Sequence, residues 1–178
     1  GIEISSLAEQ FGTPLYIYDG AKIVSQVKTL QEAFATVPLK IKYATKALSN
    51  INVLKLIRKA GAGIDAVSIE EAKLGMLAGF TPGEIMYTPS GVDFSEIQEA
   101  VDMGIMINLD SIPLMERFGQ TYGGSLEACI RINPHIMAGG NLKISVGHKE
   151  SKFGISIEQL TEILQVVEKY QLNIVGLH

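Results

Sequence analysis

The feature that most constrains the fold of this chain is a regular alternation of short apolar runs with longer amphipathic stretches. The apolar runs predict strands at residues 40–46, 63–67, 84–88, 105–109, 128–133 and 173–178. The stretches between them carry apolar residues at helical spacing, which predicts helices at 21–36, 51–59, 69–78, 95–103, 112–118 and 157–170. Such alternation is typical of βαβ units, so we expect an α/β fold with a mainly parallel sheet.

Two architectures satisfy this pattern, an open doubly wound sheet and a (β/α)8 barrel. A doubly wound sheet that binds dinucleotides carries a glycine-rich turn after its first strand. The turn that follows Lys46 reads Ala-Leu-Ser-Asn instead, which favours the TIM-type barrel. A complete barrel has eight strands and about 250 residues. Six predicted strands in a chain of 178 residues therefore indicate an incomplete barrel and a piece of a longer protein.

The N-terminal region is predicted to be separate from the barrel. Residues 14–18 read Pro-Leu-Tyr-Ile-Tyr and predict a strand ahead of the first helix, bounded by Gly12 and by Asp19. We therefore divide the chain into an N-terminal segment at 1–20 and an incomplete barrel at 21–178.

Composition excludes several classes of function. Hydrophobic residues make up 47% of the chain, which is too many for intrinsic disorder. A formal net charge of −4 predicts no binding to nucleic acid or to an anionic membrane. There is no apolar run of the roughly 18 residues that span a bilayer and no signal-peptide pattern. The single cysteine fits a reducing compartment, so we expect a cytoplasmic protein. The three histidines lack metal-ligand spacing, and no metal site is predicted.

The candidate functional residues lie where the predicted strands end, because barrel enzymes carry their active sites at the carboxyl ends of the strands. The polar residues at these ends are Lys46, Asp65, Ser68, Thr88, Ser90, Asn108, Asp110, Arg131, Asn133 and His178.

Lys46 is the most informative of them. Strand alternation places it on one face with Ala44, a small residue, so its side chain is predicted to enter the barrel mouth. Partial loss of water there favours the neutral amine, which is a nucleophile for carbonyl compounds. A lysine that merely extends its amine from an apolar strand to solvent satisfies the same pattern.

Four segments, in order along the chain, carry a family resemblance. Residues 43–50 (YATKALSN), 61–68 (GAGIDAVS), 131–134 (RINP) and 147–154 (GHKESKFG) are similar to motifs of the fold type III pyridoxal-phosphate decarboxylases, whose barrel is of the alanine racemase type. Two further segments, 11–19 (FGTPLYIYD) and 87–91 (YTPSG), most resemble the members that act on diaminopimelate. The resemblance extends from about Leu7 to His178.

The resemblance implies a pyridoxal 5'-phosphate site in the barrel. Lys46 matches the lysine that holds the cofactor, and Ala44 matches the small residue beneath it. Asp65 matches the acid of the second strand near the cofactor. Arg131 matches the arginine directed toward its phenolic oxygen. His178 matches the earlier histidine of the sixth strand and is grouped with the cofactor-binding residues.

The resemblance also implies an activity and its partners. We expect the full-length protein to decarboxylate meso-diaminopimelate to L-lysine and CO2, and to form a homodimer with shared active sites. We expect the isolated piece to be inactive. Three alternatives stay open, namely a decarboxylase of ornithine, arginine or carboxynorspermidine, a non-catalytic pyridoxal-phosphate carrier, and a generic barrel that binds an anion. The strand predicted at 14–18 favours a decarboxylase over the carrier, because in the family it belongs to a second β domain.

Overall fold

A sheet of parallel strands forms the centre of the computed structural model, which describes residues 1–136, 147–149 and 151–178. The strands are β1 (Lys42–Ala44), β2 (Gly63–Ala66), β3 (Ile85–Tyr87), β4 (Met106–Leu109), β5 (Glu127–Ile130), β6 (Ile132–Asn133), β7 (Ile155–Ser156) and β8 (Asn173–Leu177). Six of them pair in the order β1-β2-β3-β4-β5-β8, and β6 pairs with β7 alongside. All of these pairs are parallel.

The strand order confirms a barrel-type arrangement. In a doubly wound sheet the order reverses near the middle, whereas here the paired strands follow one another in chain order from β1 to β8. The structure therefore contains six consecutive strands of a TIM-type α/β fold. Within the described residues, β1 and β8 stand at the two ends of this sheet.

Helices separate the strands, as the sequence predicts. They are α1 (Ile4–Phe11), α2 (Gly20–Ala33), α3 (Ile51–Lys59), α4 (Ile69–Ala78), α5 (Phe94–Asp102), α6 (Ile112–Tyr122) and α7 (Leu160–Tyr170). Both α3 and α4 have the predicted bounds because a side chain caps each N-terminus. Asn50 accepts hydrogen bonds from the amides of Asn52 and Val53, and Ser68 accepts one from that of Glu71. None of these helices is long and apolar enough to span a membrane.

The core lies between the sheet and the helices that cover it. Ile64, Ile85 and Ile107 of neighbouring strands pack with Leu54 of α3 and Ile97 of α5, and all five are almost completely buried. Burial on both faces explains why these strands read as continuous apolar runs rather than as alternating ones.

The N-terminal region differs from the prediction. Residues 14–18 form no strand, because the described part of the chain offers no neighbouring strand to complete a hydrogen-bonded ladder. Tyr16 is 87% exposed. The helix α1 was not predicted, and none of its residues is buried. The assignment of residues 1–20 to a separate unit stays a prediction.

Gly63 at the start of β2 provides a test of how closely the strands pack. A Cβ atom at this position would lie 2.2 Å from the carbonyl oxygen of Glu84 and 3.0 Å from Cδ of Lys42. We expect Gly63→Ala to destabilise the whole protein by about 1–3 kcal/mol, since the β2–β3 contact must open. Gly83→Ala is the matched control, because a Cβ atom there meets nothing within 4 Å. Equal melting temperatures for the two variants would contradict this packing.

Candidate active site

A cavity of about 490 Å³ opens at the carboxyl ends of the strands. Its walls are formed by Lys46, Asp65, Val67, Thr88, Ser90, Arg131, Lys152, Phe153 and His178. Four of the five predicted cofactor-binding residues are thus brought together, namely Lys46, Asp65, Arg131 and His178. The fifth, Ala44, is not among the lining residues, but it pairs directly with Asp65 in the β1–β2 ladder.

Lys46 lies on a short 3-10 turn and not at the end of a strand. β1 ends at Ala44, and residues Thr45–Ala47 form the turn. The predicted strand at 40–46 is therefore too long at its carboxyl end. Because the alternation of strand faces stops at Ala44, Lys46 is exposed. Its side chain nevertheless lines the cavity, and the partial burial of its amine stays a prediction.

Buried polar contacts hold this turn in place. Thr45 is 1% exposed, and its hydroxyl lies 2.9 Å from the carbonyl oxygen of Asp65. The same hydroxyl contacts the carboxylate of Glu71, which also accepts a hydrogen bond of 2.9 Å from the amide of Val67. The turn that presents Lys46 is thereby tied to β2 and to the first turn of α4.

Among the residues that the structure describes, Asp65 is the one carboxylate that lines the cavity. Its Oδ1 atom accepts a hydrogen bond of 2.5 Å from the hydroxyl of Thr88. Thr88 in turn accepts one of 2.7 Å from Nδ2 of Asn108. Both supporting side chains are buried. Asp65 is therefore anchored to two neighbouring strand ends while it faces the cavity.

Arg131 occupies the point where the chain leaves the main sheet. The predicted strand at 128–133 is divided here, because Ile132 and Asn133 pair with β7 and not with a strand of the main sheet. The amide of Arg131 donates to the Leu109 carbonyl, and its own carbonyl accepts from the Ile155 amide, both at 2.8 Å. Partial burial lowers the pKa of the guanidinium, while the carboxylates of Asp110 and Asp65 act to raise it.

Phe153 packs beneath the Arg131 side chain. The guanidinium carbon lies 4.7 Å from the centre of the Phe153 ring, a cation–π distance. The next residue, Gly154, has a φ of +77°, and a Cβ atom there would lie 3.0 Å from the amide nitrogen of Asn133. Only glycine satisfies both the conformation and the space at this position.

His178 follows β8 and is held by its backbone. Its amide donates to the Ile130 carbonyl at 2.9 Å, and its carbonyl accepts from the Ile132 amide at 2.8 Å. Partial burial lowers the pKa of the imidazole, and the positive charge of Arg131 lowers it further, whereas the Asp65 carboxylate acts to raise it. These surroundings favour the neutral imidazole.

The cavity as a whole suits a small anionic carbonyl compound. Of the described lining residues, Lys46, Arg131 and Lys152 supply positive charge, and Asp65 supplies the one carboxylate. Lys46 supplies an exposed primary amine, the group that forms imines with aldehydes. The volume is in the range of small-ligand sites. The residues present therefore fit the aldehyde of pyridoxal phosphate, with Lys46, Asp65, Arg131 and His178 as the groups that would surround it.

Sequence reasoning missed part of the cavity wall. Val67, Lys152 and Phe153 line it. None of them is a candidate residue from the sequence, although the last two lie in the segment 147–154, which carries the family resemblance. Its Glu150 lies outside the described residues. Ser68 does not line the cavity and acts as the cap of α4. In the part of the chain that the structure describes, no three His, Cys, Asp or Glu side chains form a metal-binding group.

Comparison with known proteins places this geometry in a family. The profile of the pyridoxal-dependent decarboxylases, pyridoxal binding domain, matches residues 20–178. The diaminopimelate decarboxylase of Methanothermobacter thermautotrophicus is 33% identical over 100% of this chain and 42% of its own length. That of Streptomyces coelicolor is 35% identical over 100% of this chain and 40% of its own length.

Solved structures of decarboxylases are also similar to this chain along nearly its whole length. The diaminopimelate decarboxylase of Helicobacter pylori complexed with L-lysine has a TM-score of 0.86 at 32% identity, covering 99% of this chain and 46% of that one. The lysine/ornithine decarboxylase of Vibrio vulnificus complexed with putrescine has a TM-score of 0.79 at 26% identity, covering 98% and 43%. The chain thus spans less than half of each relative. Since the profile covers all of the chain from residue 20 onward, the chain belongs to the pyridoxal-dependent decarboxylase family, and residues 20–178 match its pyridoxal-binding domain.

Proposed function

We propose that the whole protein decarboxylates meso-diaminopimelate to L-lysine and CO2, with pyridoxal 5'-phosphate as its cofactor. The observation that carries this proposal is the convergence of Lys46, Asp65, Arg131 and His178 on one cavity in a chain of this family. The substrate is supported by the relatives, because those that are 33% and 35% identical along the whole chain are named diaminopimelate decarboxylases.

Each residue of the cavity receives a role under this proposal. Lys46 would hold the cofactor through its ε-amino group in the absence of substrate. Arg131, whose guanidinium packs against Phe153, would bind an oxygen of the cofactor. Asp65 and His178 would lie next to the cofactor, and Ala44 would leave space for it. Bound pyridoxal phosphate supplies the electron sink that stabilises the negative charge left by the departing CO2.

A second candidate is decarboxylation of a basic amino acid such as ornithine. The Vibrio vulnificus lysine/ornithine decarboxylase favours it, because that structure also superimposes along nearly the whole chain. Its 26% identity is lower than the 32% of the Helicobacter pylori enzyme. We therefore give diaminopimelate precedence.

The proposal extends to assembly and location. We propose a homodimer with shared active sites, which the family resemblance supports. We propose that it works in the cytoplasm, which the presence of only one cysteine supports.

We also propose that residues 1–20 belong to a second domain. The exposure of the apolar side chains of Leu15, Tyr16, Ile17 and Tyr18 supports this, because such a segment is suited to packing against further structure.

Removal of the Lys46 amine tests the cofactor site. In the whole protein, Lys46→Ala and Lys46→Arg should both abolish the visible absorbance of bound pyridoxal phosphate, because arginine keeps the charge but cannot form an imine with the aldehyde. Borohydride reduction of the unaltered protein, followed by peptide mapping, should place the cofactor on Lys46. Lys55→Ala is the control, since Lys55 is exposed on α3, away from the cavity. Undiminished absorbance in Lys46→Ala would refute the assignment.

Substrate comparison separates the two candidates. We expect kcat/KM for meso-diaminopimelate to exceed that for ornithine, lysine or arginine by at least ~100-fold, because a site built for the second carboxylate leaves polar groups unpaired when that carboxylate is missing. Release of CO2 and formation of L-lysine are measured together. A higher kcat/KM for ornithine or lysine would favour the second candidate.

A further inference from the structure

A buried chain of hydrogen bonds leads from the interior of the sheet to the cavity. Nδ2 of Asn108 lies 2.7 Å from the Thr88 hydroxyl, which lies 2.5 Å from Oδ1 of Asp65. Asn108 and Thr88 are 1% and 4% exposed. The three residues come from β4, from the end of β3 and from β2, which are adjacent in the sheet.

The chemistry of these groups fixes which group donates and which accepts in each of these hydrogen bonds. An ionised carboxylate only accepts hydrogen bonds, and a hydroxyl donates one proton. Thr88 must therefore donate to Asp65, and its oxygen must accept from the amide group of Asn108. This requirement orients the Asn108 amide, whose Oδ1 is buried without a hydrogen-bond partner among the described residues. A buried acceptor without a partner is costly, yet the amide keeps the orientation in which Nδ2 bonds to Thr88.

These hydrogen bonds determine which oxygen of the Asp65 carboxylate is left for the cavity. Within the described part of the protein, Thr88 is the only donor to the Asp65 carboxylate, and it engages Oδ1 alone. The second carboxylate oxygen remains available to the cavity that Asp65 shares with Lys46, Arg131 and His178. A carboxylate without this bond is free to rotate about its terminal torsion, for which side chains have broad preferences.

We infer that Thr88 and Asn108 are positioning residues for the cofactor, because they hold one oxygen of Asp65 at the end of β3 and leave the other to the ligand. The inference rests on the proposed function, since it assumes that pyridoxal phosphate occupies this cavity. Neither residue is assigned contact with the reacting atoms.

The test measures cofactor affinity in the whole protein. Apoprotein is titrated with pyridoxal phosphate, and the dissociation constant is read from the absorbance or fluorescence of the bound cofactor. Thr88→Val retains the branched shape and removes the hydroxyl, and we expect it to weaken binding about tenfold, the usual scale for a hydrogen bond to a charged group. Thr88→Ser keeps the hydroxyl and should restore most of the affinity. Thr121→Val is the matched control, because the Thr121 hydroxyl is exposed and bonds only within α6.

A double-mutant cycle separates positioning from packing. If Thr88 acts through Asp65, Thr88→Val should have little further effect in protein that already carries Asp65→Ala. Equal weakening by Thr88→Val in both backgrounds would overturn the inference, as would unchanged affinity in Thr88→Val alone. Asn108→Leu provides a second route should Thr88→Val fail to fold. For Asn108→Leu we expect a smaller loss of cofactor affinity than for Thr88→Val, and no loss in protein that already carries Asp65→Ala. A loss of the same size in both backgrounds would also overturn the inference.

The same titration distinguishes the inference from the proposed function. If the unaltered protein binds no pyridoxal phosphate at Lys46, the proposed function fails and the positioning role fails with it. If the unaltered protein binds it at Lys46 and Thr88→Val binds equally well, only the positioning role fails.

Discussion

Parallel pairing of consecutive strands is the constraint on which the rest of this structure depends. The register sets Ala44 beside Asp65, Ala66 beside Tyr87 and Leu109 beside Ile130. Because each strand stops near its neighbour's end, the residues that follow them meet at one edge of the sheet. A shift of one residue in any pair would turn the side chains of that strand to the opposite face. The cavity therefore exists only in this register.

The local sequence was sufficient to predict those elements whose bounds depend on contacts between residues close together in the chain. Asn50 and Ser68 cap α3 and α4, so both helices begin at the predicted residues. Apolar runs identified the buried strands. The rule that barrel sites lie at strand ends gave ten candidate residues, and the family resemblance selected Lys46, Asp65, Arg131 and His178 among them. The rule depends on topology alone, so it could group residues that line one cavity without knowledge of any distance.

Sequence was insufficient where the deciding contact is distant along the chain. β1 ends at Ala44 because Thr45 bonds to Asp65 and contacts Glu71, and neither partner is visible from the pattern of residues 40–46. Lys152 and Phe153 reach the cavity because they lie just ahead of β7, which pairs with β6 next to Arg131. Residues 14–18 have strand composition, but composition does not supply a partner strand.

Asp65 connects the two halves of the site. Its backbone carbonyl holds Thr45 and thus the turn that carries Lys46, while its carboxylate is held by Thr88 and, through it, by Asn108. A displacement of β3 or β4 would therefore move Asp65 and, through it, the turn that carries Lys46. The carboxylate also opposes the effect of burial on the pKa of both Arg131 and His178. One residue thus links the position of the cavity's amine, through its backbone, to the pKa values of Arg131 and His178, through its side chain. Its anchoring to β3 and β4 therefore matters to the whole site.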